Sequence, residues 1–135
     1  MPAGYSGTPL VKKLGLREGF KVLLVNEPEN YFDLLAIIPE KVRFLRSSKT
    51  PVDFIHFFVK DSAELKKQLP VLKKKLAKTG MLWVSWPKKS SKIPSTVNDG
   101  LVRKSGLETG LVDIKVCAVD EIWSGLKFVY RTRDR

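Results

Sequence analysis

Apolar runs of strand length alternate with stretches of helical period from one end of the chain to the other. Lys21-Val22-Leu23-Leu24-Val25-Asn26 is a continuous apolar run, the pattern of a strand covered on both faces. Val42-Arg43-Phe44-Leu45 predicts a shorter second strand, and residues 52–59 (VDFIHFFV) predict a third that is almost wholly apolar. Residues 81–86 predict a fourth, stopped by Pro87. Residues 112–120 and 126–131 predict two last strands, joined through Glu121-Ile122-Trp123-Ser124-Gly125, short enough for a hairpin.

Helical signals fill the gaps. Thr8 and Pro9 read as N-cap and first residue of a short helix, with Leu10 and Leu14 on one side and Gly15 as its stop. Glu27 to Asp33 places acids and Pro28 at a helix start, and Tyr31 to Ile38 continues that helix as far as Pro39. The clearest element follows Asp61 and Glu64, which have capping-box spacing. Leu65, Leu69, Leu72 and Leu76 then recur on one face. Lys67, Lys74 and Lys78 fall on the opposite face, Pro70 predicts a kink or a split, and Gly80 predicts the stop. Thr96 with Asp99 predicts a third long helix, weakened by Gly100 and ended near Gly106.

Strands alternating with helices predict an α/β fold: a mostly parallel sheet of about six strands, helices on both faces, and a C-terminal antiparallel hairpin. One domain is expected over residues 1–135, with an N-terminal arm over 1–20 and the α/β core over 21–135. At 135 residues the chain buries enough surface to fold without a metal or a disulfide. One Cys and one His exclude a disulfide and a histidine- or cysteine-based metal site, so no metal is expected. No apolar run is long enough to span a membrane and the N-terminus lacks the order of a secretory signal, so a cytoplasmic protein is expected.

Charge changes the picture in one place. The net charge is +11, and residues 60–93 hold 10 Lys against 2 acids. The flanking segments are close to balanced. Every base in the segment is Lys, a point charge on a flexible stem without the planar fork of Arg. That suits a solvated face or loose attraction to a polyanion. Lys67, Lys74 and Lys78 are the candidate polyanion face, with weak, sequence-independent nucleic-acid binding as the partner expected of it.

Two resemblances follow from these residues. VDFIHFF, the leucine-spaced helix and TGMLWVSWP resemble the fourth strand, helix and fifth strand of Rossmann-like methyltransferases, and the terminal hairpin resembles that fold's antiparallel end. This resemblance implies the strand order 2-1-3-4-6-5 with strand 6 antiparallel to the rest. The joint in doubt lies between strands 2 and 3: only six residues, Arg46 to Pro51, connect them, where a parallel crossover usually takes a dozen or more. GYSGTPLVKKLG, WPKK and LVDIKVCAVDEIWSGLKFV resemble an uncharacterised family of small bacterial proteins, a domain of unknown function that brings no activity with it.

The methyltransferase fold holds its nucleoside through a glycine-rich turn after the first strand and an acid closing the second. Here the turn is Asn26-Glu27-Pro28-Glu29-Asn30 and the second strand closes on Leu45-Arg46-Ser47-Ser48. Both anchors are missing, so binding of S-adenosylmethionine or NAD, or of any other cofactor, is not expected. His56 between Phe54 and Phe58 reads as a core histidine, Cys117 as a buried inert thiol, and Glu27 and Glu29 as helix-start acids. Trp123, in the turn, either tucks over the core or faces a partner.

Ligands of open α/β sheets collect outside the carboxyl ends of the strands. Lys60, Lys88 and Lys89 follow strands 3 and 4 there, Trp86 ends strand 4 beside them, and the helix beginning near Ser62 brings amide donors. An anionic small molecule bearing phosphate or carboxylate is the ligand expected. With cofactor anchors and catalytic groupings both absent, the favoured reading is a non-catalytic binding or adaptor domain. Two alternatives stay open: an enzyme with an unfamiliar site at the carboxyl ends of the strands, and an assembly protein that oligomerises by pairing through its hairpin edge.

Overall fold

Six strands form one sheet in the order β2-β1-β3-β4-β6-β5 in a computed structural model that describes residues 8–135. The first residues of the GYSGTPL motif lie outside the described residues. The strands are β1 (Lys21–Val25), β2 (Arg43–Leu45), β3 (Val52–Phe58), β4 (Leu76–Pro87), β5 (Leu111–Ala118) and β6 (Trp123–Tyr130). The helices are α1 (Leu10–Leu14), α2 (Tyr31–Leu35), α3 (Ser62–Lys75) and α4 (Asp99–Thr109). β1 pairs in parallel with β2 and β3, and β3 with β4, while β6 runs antiparallel to both β4 and β5.

The six-residue joint between β2 and β3 works because β2 is so short. Val22 pairs with Phe44 on one side and Phe54 on the other. Leu45 and Val52 therefore differ by only three residue levels, about 10 Å along the sheet, and lie two strand spacings, about 10 Å, apart. Seven Cα steps reach about 23 Å when extended, well beyond the roughly 14 Å needed. No helix is required to cover a three-residue strand.

Alternation along the strands divides the core into two layers. Leu23, Ile55, Phe57, Leu82 and Val84 pack with Leu65, Leu69 and Leu72 of α3 and Val102 of α4. Val22, Leu24, Phe54, Phe58 and Trp83 pack with Val11 and Leu14 of α1 and Tyr31 and Leu35 of α2. The Trp83 indole donates to the Leu14 carbonyl at 2.8 Å, which fastens the N-terminal arm to the sheet.

Several elements differ from the sequence expectation, each for a tertiary reason. α3 stops at Lys75 rather than Gly80, because Leu76 turns extended and pairs with Val52, starting β4 five residues early. Gly80 then sits inside the strand, where a Cβ would come 2.8 Å from the Asp53 carbonyl oxygen. Lys78 consequently belongs to β4, and the face expected to join it to Lys67 and Lys74 on one helix does not exist. Pro70 lies on the exposed side of α3, which continues through it unsplit. α4 is capped by Asn98, whose side chain accepts from the Leu101 amide, and it ends at Gly110, not Gly106. Gly106 lies within α4 against Phe128. α2 starts only at Tyr31, so Glu27 and Glu29 precede it and are not its first-turn acids. β5 and β6 begin one and three residues before their expected starts.

Candidate functional site

The carboxyl edge of β4 carries a formed cleft. Its volume is about 540 Å³, and its walls include Trp86, Lys88, Lys89, Thr96, Asp99 and Ser124. β4 delivers Trp86 to one wall, buried on the sheet, and β6 places Ser124 directly opposite it in register. The facing wall is residues 93–99, held in place by β3 and α3. The Thr96 amide donates to the Lys60 carbonyl at 2.9 Å and the Ser95 hydroxyl donates to the same oxygen at 3.1 Å. The Ser62 amide donates to the Thr96 hydroxyl at 2.8 Å, and the Asp61 carboxylate accepts from Glu64.

These bonds correct part of the expectation. The Ser62 and Glu64 amides of α3 are spent on Thr96 and Asp61, so they are not free donors for an anion. Lys60 shapes the wall through its backbone and is not among the residues lining the cleft. Trp86, Lys88 and Lys89 do come together. The Lys88 ammonium donates to the Asp120 carbonyl at 2.7 Å, tying the strand end to the hairpin turn, while exposed Lys89 makes no such bond among the described residues. The polar groups left to meet a ligand are therefore the Lys89 ammonium, the Ser124 hydroxyl, the Asn98 side-chain nitrogen and the Asp99 carboxylate, one oxygen of which already accepts from the Gly100 amide at 2.9 Å. The sequence reading missed Asp99 and Ser124 as site residues; their only signal was a place after or beside β4 that depends on sheet order.

The place where the fold family holds its nucleoside is filled. Asn26 takes the left-handed backbone that a glycine would supply there, with φ of 59°. Its amide donates to the Phe58 carbonyl at 3.2 Å and to the Glu64 carboxylate at 3.1 Å, closing the crevice between β1 and β3. Glu27 sits 2.5 Å from the Arg46 guanidinium, the residue standing where the ribose-binding acid would be. That contact is ionic, since no hydrogen bond of good geometry reaches the buried Glu27 oxygen. A carboxylate lies where close backbone approach is needed and a cation where an acid is needed. The residues present do not fit S-adenosylmethionine at this place.

Behind the crevice lies a buried polar trio. The His56 ring is fully buried, with Nδ1 2.9 Å from the Tyr31 hydroxyl and Nε2 2.7 Å from the Ser85 hydroxyl. A neutral imidazole needs one donor and one acceptor, and two hydroxyls supply both in either tautomer. Burial pushes the His56 pKa down to about 3, and it pushes the Tyr31 hydroxyl up, helped by the nearby Glu27 charge. Both hydroxyl partners are buried as well, so the trio is sealed from substrate and its histidine is a core residue as expected. Cys117 is buried, and burial raises its thiol pKa against the opposing pull of Lys13, Lys115 and Lys88. Trp123 starts β6 rather than occupying a turn, and its ring packs edge-on against Phe58 with centroids 5.0 Å apart. It tucks over the core. Among the described residues there is no cluster of His, Cys, Asp and Glu fit for a metal, and no helix long and apolar enough to cross a membrane.

Similar proteins were found through structure alone. No protein-family model matches the chain, and no curated protein matches it in sequence. An S-adenosylmethionine-dependent methyltransferase from Aquifex aeolicus aligns over 88% of this chain and 86% of its own, with TM-score 0.60 and 19% identity. A methyltransferase from Pyrococcus furiosus aligns over 88% and 78%, with TM-score 0.56 and 13% identity. A tRNA methyltransferase of B. subtilis aligns over 94% and 67%, with TM-score 0.55 and 13% identity. The chain thus has the α/β methyltransferase-like fold. The expectation of a non-catalytic adaptor is overturned here: the neighbours of this fold are enzymes, and the edge where such sheets carry ligands holds a formed cleft in this chain.

Proposed function

We propose that this chain is an enzyme on the methyltransferase scaffold that works in the cleft at the carboxyl end of β4 on a small anionic substrate. The observation that carries the reading is the cleft itself. It combines an apolar wall (Trp86), unpaired lysine charge (Lys89) and a single lining carboxylate (Asp99) at the edge where open α/β sheets bind ligands. Lys89 supplies the attraction for a phosphate or carboxylate, Lys88 fixes the strand end, and Lys60 acts through its carbonyl as a positioning residue. Asp99, one oxygen of which accepts from the Gly100 amide, takes a proton from the substrate through its other oxygen, and the Ser124 hydroxyl orients the substrate. The chain's likeness to an uncharacterised family of small bacterial proteins, its action as one domain and a bacterial cytoplasm as its setting belong to this same reading.

The test incubates purified protein with a pool of small phosphorylated and carboxylated metabolites and follows each by mass spectrometry. At least one anion is consumed by the native chain, and Asp99→Asn, checked for folding by circular dichroism, slows that loss at least tenfold. No consumption, or equal consumption by the variant, defeats the proposal.

Methyl transfer is the second reading, favoured by the neighbours with this fold. It needs S-adenosylmethionine to bind away from the filled β1 crevice. Calorimetry separates the two: affinity no tighter than about millimolar, roughly −4 kcal/mol, agrees with the first reading, and micromolar binding favours the second.

A further inference from the structure

A second concave surface lies at the opposite edge of the sheet, away from the proposed catalytic cleft. Its volume is about 720 Å³, and it runs between α3, α4 and the ends of β4 and β6. Lys66, Lys74 and Lys78 line it. They are exposed and form no ion pair among the described residues. Around the corner, Lys78 also lines a smaller cleft with Arg135, so the positive surface continues onto the C-terminal turn. Two basic segments some sixty residues apart in sequence meet here only because β6 runs antiparallel beside β4 and ends at its start.

The rest of the lining decides what such a surface recognises. Lys73 is not free: its ammonium donates to the Thr109 carbonyl at 3.0 Å, and its own carbonyl accepts from the Tyr130 hydroxyl at 2.6 Å. The Tyr130 ring is buried beneath the Lys73 and Lys78 ammonium groups, 5.5 Å and 4.5 Å from its centroid. No aromatic face is therefore open to stack on a base. The charges that remain are flexible lysines without a bidentate fork. The two acids on the far side, Glu108 and Asp134, confine an anion to the α3 side, and Glu108 already has Lys104 4.0 Å away.

We propose that this groove holds the phosphodiester backbone of a single-stranded nucleic acid, without reading its sequence. A row of point charges spread along a concave path matches repeated phosphates rather than one compact anion. The groove, walled by two helices, admits a strand rather than a duplex. The lysine charges address the phosphates that RNA and DNA share, so RNA and DNA strands bind alike. The expected face of Lys67, Lys74 and Lys78 is amended: Lys66 lines the groove in place of Lys67, and Lys78 enters from β4.

Fluorescence anisotropy with labelled 20-nucleotide oligo-U, oligo-A and oligo-dT tests this across a range of salt. Affinities should agree within about threefold among the three and fall with salt at a log–log slope of about −0.7 per phosphate neutralised. The triple variant Lys66→Ala, Lys74→Ala, Lys78→Ala should flatten the slope by about 2. A charge-matched control at exposed lysines elsewhere, Lys12→Ala, Lys41→Ala, Lys49→Ala, should leave it unchanged. If the triple variant fails to fold by circular dichroism, the three single variants are read instead, each flattening the slope by about 0.7. Equal effects of the triple variant and the control overturn the proposal, as does a preference above tenfold for one oligonucleotide. Tripolyphosphate binding as tightly as the strands also overturns it, since the groove would then be a compact anion site. The Asp99→Asn variant keeps full nucleic-acid binding, so this surface and the catalytic cleft stand or fall separately.

Discussion

Stability of this protein should depend on pH between 5.5 and 7.5 through a single side chain, His56. The chain has one histidine, so no other imidazole contributes in that window. In the folded state burial pushes the His56 pKa down to about 3, whereas the unfolded chain titrates near 6.5. Above pH 6.5 both states are neutral at this site and the trio contributes its full stability. Below pH 6.5 the unfolded state takes up a proton that the folded state refuses. Stability therefore rises with pH across this range and is lost as pH falls from 6.5 toward 3. The slope approaches about 1.4 kcal/mol per pH unit, so pH 5.5 should cost about 1.4 kcal/mol relative to pH 7.5. Urea unfolding at pH 7.5, 6.5 and 5.5 measures this, and 5.5 keeps clear of most carboxylate titration. Ser85→Ala adds a second readout. It leaves His56 Nε2 buried without its 2.7 Å partner, at a cost of about 1–3 kcal/mol. For this chain length that lowers the Tm by about 4–11 °C. A flat profile between pH 5.5 and 7.5 would refute the reasoning, because it would mean that folded His56 accepts a proton as readily as the unfolded chain does.

Gly106→Ala should destabilise by about 1–3 kcal/mol in urea unfolding despite raising helix propensity, because the new Cβ would lie 2.1 Å from the Phe128 ring. Asp61→Ala removes the cap on the Glu64 amide and should cost about 0.5–2 kcal/mol by the same measurement; an unchanged midpoint would mean the α3 cap carries no weight. Cys117 should react with a thiol reagent only slowly at neutral pH in the folded protein and promptly in guanidinium, since burial raises its pKa; rapid native labelling would contradict its placement.

The strands themselves were legible from local pattern, while their order came from the resemblance to methyltransferases. An apolar run such as Val22 to Val25, or one broken by a single polar residue such as Phe54 to Phe58, suits a strand covered on both faces, and three such runs separated by helical stretches leave few arrangements open. The missing glycine turn was legible too, because close backbone approach depends on residue type rather than on distant contacts. What the tertiary structure decided lies wherever two distant segments compete for one position. Leu76 to Thr79 reads as helix by spacing and becomes strand because Val52 offers Leu76 a backbone partner that helix propensity cannot match. Thr96 reads as the cap of its own helix and instead receives the Ser62 amide across 34 residues. Ser85, Tyr31 and His56 carry no shared motif, and only the pairing of β3 with β4 and the docking of α2 bring them within hydrogen-bond range. Both proposed sites follow the same rule. Asp99, Ser124 and Lys89 converge at one edge, and Lys66, Lys78 and Arg135 at the other, through a strand order that no local window of sequence encodes.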